Sequence, residues 1–192
     1  MIHVFSIPLR IRFRGITVRE GVLLRGDVGW GEWSPFLEYD DVTSRPWLAC
    51  AREAAGLGWP EPLRDAVPVN VTVPATDPEH AHAIVTSGGC RTAKVKVAER
   101  GQALADDLAR LEAVRDAIGP DGLVRVDANG AWDVDEAVRA IAAIDRAAGG
   151  LEYVEQPVAS VEDLALVRRR VDVPVAADES IRRPRSPSRS SR

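Results

Sequence analysis

At 192 residues and 45% hydrophobic side chains, the chain is long enough for one large or two modest globular cores. No apolar run approaches the roughly 20 residues of a membrane span, and the opening "MIHVFSIPLRIRFRG" lacks the apolar core and cleavage site of a signal peptide, so a soluble, cytoplasmic protein with no membrane partner is expected. The net charge of -4 hides a break: residues 181–192 hold five arginines and no acid, the remainder is correspondingly more acidic, and no nucleic-acid partner is expected for it.

Residues 1–64 alternate apolar and polar positions in "VFSIPLRIRFRG" and "TVREGVLLRGDVGWGEWSPF", with turn signals at Gly15 and at Gly26-Asp27, and then take on helical spacing around Arg45 to Ala55. This predicts a small antiparallel sheet followed by a helix, an α+β domain of its own, with Pro60, Pro62 and Pro68 marking the joint. Cys50, inside the helix-like "WLACAREAA", and Cys90 share no ligand-like spacing and are expected as free thiols. His80 and His82 stand two apart on a predicted helix, face different ways, and are not expected to hold a metal.

From residue 65 to 181 short β-branched runs alternate with helical segments. The runs are "VPVNVTVPA", "TAKVKVAE", "LVRVDANG", "LEYVEQP" and "VPVAADES"; the helices are expected over 77–86, 102–118, 133–147 and 160–171. In the second helix the helical spacing runs through Leu104, Leu108, Leu111, Val114, Arg115 and Ile118; in the third it runs through Val134, Val138, Ile141 and Ile144. Such alternation predicts an α/β fold with a parallel sheet, either an open doubly wound sheet or part of a (β/α)8 barrel. No glycine-rich phosphate loop follows the first strand, which speaks against a dinucleotide site.

The chemistry concentrates in a few positions. The chain's 25 cationic side chains include two lysines only, Lys94 and Lys96 in "AKVKVA". Arginine does not release its proton in a protein, whereas a lysine crowded by a second ammonium can, so a lysine pair in an arginine-rich chain points to a base. Residues i and i+2 of a strand share a face, so both ammonium groups would project into one site; the plain alternative is an edge strand with two solvated lysines. The next three runs end in acids, Asp127, Glu155 and Asp178. In a parallel β/α array all strand C-termini lie at one face, so these carboxylates are expected to converge, and converging carboxylates need a cation; an oxygen-only set favours Mg²⁺. Taken singly, each acid could instead cap a helix. A lysine base beside a divalent cation is the arrangement that removes a proton next to a carboxylate.

In order along the chain, "GWGE", "KVKV", "DANGAW", "EQP" and "ADES" resemble the enolase superfamily, in its Lys-x-Lys branch. Within it, "FRGITVREGVLLRGDVGWGEWSPFLEYDD" is similar to the actinobacterial-type o-succinylbenzoate synthases of menaquinone biosynthesis. The resemblance runs over residues 1–183. It implies an N-terminal α+β capping domain, with the loop around Arg12 to Gly15 closing over substrate, followed by a partial (β/α)8 barrel. It implies a Mg-dependent dehydration of a small carboxylate substrate, 2-succinyl-6-hydroxy-2,4-cyclohexadiene-1-carboxylate, to o-succinylbenzoate. Lys96 would be the base and Lys94 would hold the site positive; Asp127, Glu155 and Asp178 would bind Mg²⁺; Asn129, two past Asp127 and so on the same face, and Arg14 would meet substrate. The same residues serve N-succinylamino acid racemases, dipeptide epimerases and muconate cycloisomerases, and a catalytically dead remnant would keep them too. Members of the family continue past "DES" with three more βα units that carry a further lysine. The chain is therefore expected to hold five of eight strands and to be weakly active or inactive by itself. The arginine, serine and proline of 182–192 are expected to be a disordered tail, read in a shifted frame.

Overall fold

The computed structural model describes residues 1–13 and 15–182. It divides into two compact units, Met1–Val67 and Pro68–Arg192. Among the described residues no helix is long and apolar enough to cross a membrane.

In the first unit β1 (Ile2–Phe13), β2 (Ile16–Arg25) and β3 (Trp30–Trp33) form an antiparallel sheet in the order β1-β2-β3. Gly15, at φ +79°, supplies the left-handed turn that brings Phe13 opposite Ile16. The helix α1 (Asp41–Gly56) begins four residues before the expected Arg45, because Asp40 caps it: the carboxylate accepts from the Thr43 N–H at 2.7 Å. Its buried residues are Ser44 and three alanines, Ala51, Ala54 and Ala55. Small side chains bring helix and sheet together, and Gly31 of the "GWGE" motif completes the approach. A Cβ at Gly31 would lie 1.8 Å from the Ala51 carbonyl oxygen, so only glycine lets β3 lie this close to α1.

The second unit is the alternation made real. Strands β4 (Val71–Val73), β5 (Thr92–Lys96), β6 (Leu123–Asp127), β7 (Tyr153–Glu155) and β8 (Val175–Ala176) form one parallel sheet in chain order. They are joined by α2 (Pro78–Gly88), α3 (Leu104–Ile118), α4 (Val134–Ala147) and α5 (Val161–Arg168), and α6 (Glu179–Arg182) follows β8. Three of the helices start where a side chain accepts the third N–H, Asp77 from His80, Asp133 from Glu136 and Ser160 from Asp163. Asp77, Asp133 and Ser160, which the sequence places at helix starts, are thus the caps themselves, while the helix expected from 102 is capped at Ala103. The core lies between sheet and helices, with Val73, Val95, Val124, Val126, Val154, Leu111, Val114, Ile141 and Ile144 fully buried.

Two details differ from the sequence expectation. On α3 the core face runs through Asp107, Arg110, Leu111 and Val114, while Leu104 is exposed. Leu108, Leu111, Val114 and Ile118 of the expected stripe do pack on the core; the difference is that Leu104 drops out and the buried Asp107–Arg110 ion pair joins them. At the end, α6 extends through Arg182, which is ion-paired to Asp178 and Glu179, so the expected tail cannot start at 182. Residues 183–192 of that expectation lie outside the described residues.

Candidate active site

The site is built by strand register. The strand β5 pairs with β4 on one side and β6 on the other, so it is interior and the edge-strand alternative for its lysines does not hold. Across the sheet Lys96 pairs in register with Asp127, Asp127 with Glu155, and Glu155 with Ala176. Residues in register on a parallel sheet share a face, so one lysine and two acids form a row across three strand ends, with Lys94 one step below.

The row is knitted by charge. Lys96 Nζ donates to Asp127 Oδ2 at 2.6 Å and to Asn129 Oδ1 at 2.8 Å. Lys94 Nζ lies 2.7 Å from Glu155 Oε1 and 3.0 Å from Asp127 Oδ2, bridging the two acids. Asp127 is 1% exposed. Burial works against its charge, but the hydrogen bonds and charges of Lys96 and Lys94 outweigh that and hold its carboxyl below the usual value of 3.8. Glu155 goes the other way: burial, with the charges of Asp127 and Asp178, raises it above 4.5 against the pull of Lys94. For Lys94, burial is overcome by its bonds to Glu155 and Asp127, and its pKa stands above 10.5.

These shifts set a pH profile for stability. The Asp127 contribution is present above pH 3.8 and is lost as pH falls through its lower folded value; that of Lys94 is present below pH 10.5 and lost as pH rises through its higher folded value. Glu155 has the opposite sign to Asp127, since the folded state holds its proton more tightly, so stability rises as pH falls through its folded value toward 4.5. Thermal unfolding across a pH series is expected to show that rise, to lose it in Glu155→Gln, and to keep the loss below pH 3.8. A Glu155→Gln profile identical to the parent's would contradict the assignment.

Beyond the ends of β5, β6 and β7 the chain enters a left-handed turn. Ala98, Asn129 and Gln156, none of them glycine, have φ of +59°, +49° and +41°. Asn129 therefore does not continue the face of β6 as expected. Its backbone N–H folds back on Asp127 Oδ1 at 3.0 Å, and this turn, not strand alternation, brings its side chain to Lys96. Its amide Nδ2 donates to Glu179 Oε1 at 2.8 Å. Gln156, fully buried, accepts at one oxygen from Asp178 N (2.7 Å), Ser180 N (3.2 Å) and Ser180 Oγ (3.1 Å), fixing the segment after β8 to the end of β7.

Asp178 lies two residues beyond Ala176, and its carboxylate pairs with Arg182 at 3.0 Å. It is near enough for its charge to raise Glu155, but it does not join the lysine row. Among the described residues no three His, Cys, Asp or Glu side chains come together as a metal cage. Arg14 lies outside the described residues. His80 pairs with Asp77 and His82 with Asp116, and Cys50 and Cys90 are free thiols.

Support for Lys96 comes from a pair that the sequence reading missed. Arg110, with no exposed surface, donates to Lys96 O at 3.0 Å, Thr76 O at 2.7 Å, Gln102 Oε1 and Asp107 Oδ1 at 2.7 Å. Asp107 Oδ2 accepts in turn from Ala98 N at 2.9 Å. The guanidinium thus fixes the carbonyl of Lys96 from beneath, and Asp107 fixes the left-handed turn after it. Their spacing, charged residues three apart on the core face of α3, was the available signal.

Residues 4–55 match the enolase N-terminal domain-like family and residues 77–189 the enolase C-terminal domain-like family. The o-succinylbenzoate synthase of Thermobifida fusca is 66% identical over 185 residues, and that of Mycolicibacterium smegmatis 55% over 189. These alignments take in 96% and 98% of this chain but 58% of either relative, so the chain spans little more than half their length. Among solved structures, the L-Ala-D/L-Glu epimerase of Bacillus subtilis superposes with a TM-score of 0.74 at 26% identity, over 94% of this chain and 67% of its own. The o-succinylbenzoate synthase of Thermosynechococcus elongatus BP-1, complexed with Mg in its active site, gives 0.61 at 22% identity, over 94% and 68%. The likeness at that identity is one of fold.

Proposed function

This chain belongs to the enolase superfamily, and on that premise we propose that its lysine and carboxylate row serves the o-succinylbenzoate synthase reaction, the dehydration of 2-succinyl-6-hydroxy-2,4-cyclohexadiene-1-carboxylate. The observation that carries the reading is the register of Lys96, Asp127 and Glu155 across three adjacent strand ends, in a chain 66% identical to one such synthase.

In this reading Lys96, in its neutral form, takes the proton from the ring carbon that bears the carboxylate. The C–H electrons become the new ring double bond, the bond from the neighbouring carbon to the hydroxyl breaks, and the proton on Lys96 leaves with that hydroxyl as water. Base and acid are one group on one face, so the elimination is syn. Lys94 keeps positive charge beside the substrate carboxylate, and Asn129 steers the Lys96 amine.

The donor set suits a hard cation in its chemistry. Two carboxylates lie in register and a third is close enough for its charge to be felt, all of them oxygen donors. The positive charge between Asp127 and Glu155 is supplied by the Lys94 ammonium, which a divalent ion would displace. We assign Asp127, Glu155 and Asp178 as the residues that would hold Mg²⁺; bound there, the ion would supply charge to stabilise electron density gathering on the substrate carboxylate.

Epimerisation is the second reading, favoured by the fold match to the Bacillus subtilis epimerase. It needs a base on each face of the substrate; Lys94 and Lys96 stand on one face of one strand, so the pair serves either reaction and a second base would have to come from another element. The test is turnover of the cyclohexadiene substrate with Mg²⁺, by the chain alone and by the chain joined to the C-terminal part of the Thermobifida fusca relative. Formation of the aromatic product supports dehydration; epimerisation of a dipeptide with no dehydration would overturn it.

A further inference from the structure

We propose that Glu179 is a positioning residue for Lys96: it holds the Asn129 amide with its oxygen, and not its nitrogen, toward the ammonium. Asn129 sits between two charged groups. Its Oδ1 accepts from Lys96 Nζ and its Nδ2 donates to Glu179 Oε1, each at 2.8 Å. The two ends of a primary amide are nearly the same size, so shape does not choose between its two orientations and hydrogen bonding must. With the amide turned over, an NH₂ group would face an ammonium and a carbonyl oxygen would face a carboxylate. Both bonds would be lost and both contacts would repel. The carboxylate at 179 makes the observed orientation the one that satisfies both ends.

The rest of the geometry serves that contact. The Asn129 backbone is fixed in its left-handed turn by the bond to Asp127 Oδ1, so the side chain has little freedom except rotation of the amide. Gln156 fixes Glu179 from the other side by binding the N–H groups of Asp178 and Ser180, its two neighbours. Glu179 Oε1 also meets Arg182 at 3.2 Å, while Oε2 is buried with no hydrogen-bond partner among the described residues. Its polar anchors there are thus Asn129 and Arg182.

The consequence for Lys96 is directional. A neutral amine has two N–H bonds and one lone pair. Asp127 Oδ2 and Asn129 Oδ1, accepting from Nζ along two directions, together fix how the amine is turned. If the amide turned over, one of these two acceptors would be lost and the amine would be held less firmly in direction. This use of the geometry rests on Lys96 being the base, but the amide orientation itself does not.

The chain's two lysines make the test internal. With [¹⁵N]lysine incorporated, the full chain gives two side-chain Nζ signals, assigned by Lys94→Arg and Lys96→Arg. Lys96 touches Asn129 and Lys94 does not, so Glu179→Ala is expected to shift the Lys96 signal and raise its hydrogen exchange about tenfold, the loss of one hydrogen bond, while leaving Lys94 in place. Glu179→Gln, whose side-chain oxygen still accepts from Asn129, is expected to restore the parent signal, and Arg182→Gln to leave it unchanged. Asn129→Ala should give the Lys96 change, with nothing added by a second Glu179→Ala. An unchanged Lys96 signal in Glu179→Ala, or equal displacement of both lysines, overturns the proposal, the latter because it marks a general structural role. A Lys96 response as expected alongside normal turnover of Lys96→Arg would overturn the base assignment and leave the positioning intact.

Discussion

Lys96→Arg is expected to lower turnover by about a thousandfold or more, within the range that general acid–base groups contribute, with substrate affinity changed only a few-fold. Arginine keeps the positive charge and still has donors for Asp127, so the row should remain assembled. What it lacks is the ability to shed a proton at neutral pH. Lys94→Arg makes the comparison sharp. Lys94 bridges Asp127 and Glu155 as a charge, a role arginine can fill, so its loss should be far smaller. Steady-state kinetics of the two variants decides the matter: equal losses, or near-normal turnover of Lys96→Arg, would remove the distinction drawn between the lysines.

Asp127→Asn should damage stability and metal binding together. Asp127 is buried, receives both ammonium groups at one oxygen and the Asn129 N–H at the other. The amide keeps the shape but removes the charge, and leaves two lysines, 21% and 13% exposed, with Glu155 as the remaining acid of the row. Removing one partner of a buried ion pair costs about 3 to 5 kcal/mol, and the partial exposure of the lysines places the expected loss near the lower end. Mg²⁺ affinity, measured by calorimetric titration, is expected to fall tenfold or more, since the carboxylate is both a donor and the charge that holds the site together. Urea unfolding gives the stability change independently. Unchanged Mg²⁺ binding with a large stability loss would make Asp127 a structural counter-ion to the lysines and not a ligand.

Much of this arrangement was legible in the residues. The alternation of β-branched runs and capped helices specifies a parallel sheet, and within it Lys96, Asp127 and Glu155 fall at strand ends by counting alone, with Lys94 two residues inside. Strand register then does the rest, because residues paired across a parallel sheet must share a face. What lay beyond the sequence was everything set by turns and by buried polar contacts. Asn129 reaches Lys96 through a left-handed backbone that no local pattern announces, since asparagine tolerates that region without requiring it. Gln156 and Glu179 sit inside the recognised "EQP" and "ADES" strings, yet their partners lie 22 to 50 residues away and are fixed only by the fold. Arg110 and Asp107 go unnoticed in the sequence for a physical reason: apolar periodicity treats a charged residue as outward-facing, and a mutually satisfied pair on the core face of α3 defeats that rule. Asp178 shows the limit in the other direction. Its place after β8 follows from counting, but its carboxylate turns to Arg182, a contact one helical turn away that competes with convergence on the row.

The central claim is that Lys96 removes a proton next to a carboxylate, and isotope exchange reads that step without relying on loss of water. A substrate analogue that keeps the ring carboxylate and lacks the leaving hydroxyl, held in D₂O with Mg²⁺ and the chain joined to the C-terminal part of its Thermobifida fusca relative, should lose its α-proton signal in the NMR spectrum. The account predicts wash-in of deuterium at that carbon with Lys96 in place, and exchange no faster than in buffer for Lys96→Arg. Equal exchange in the two proteins would contradict it.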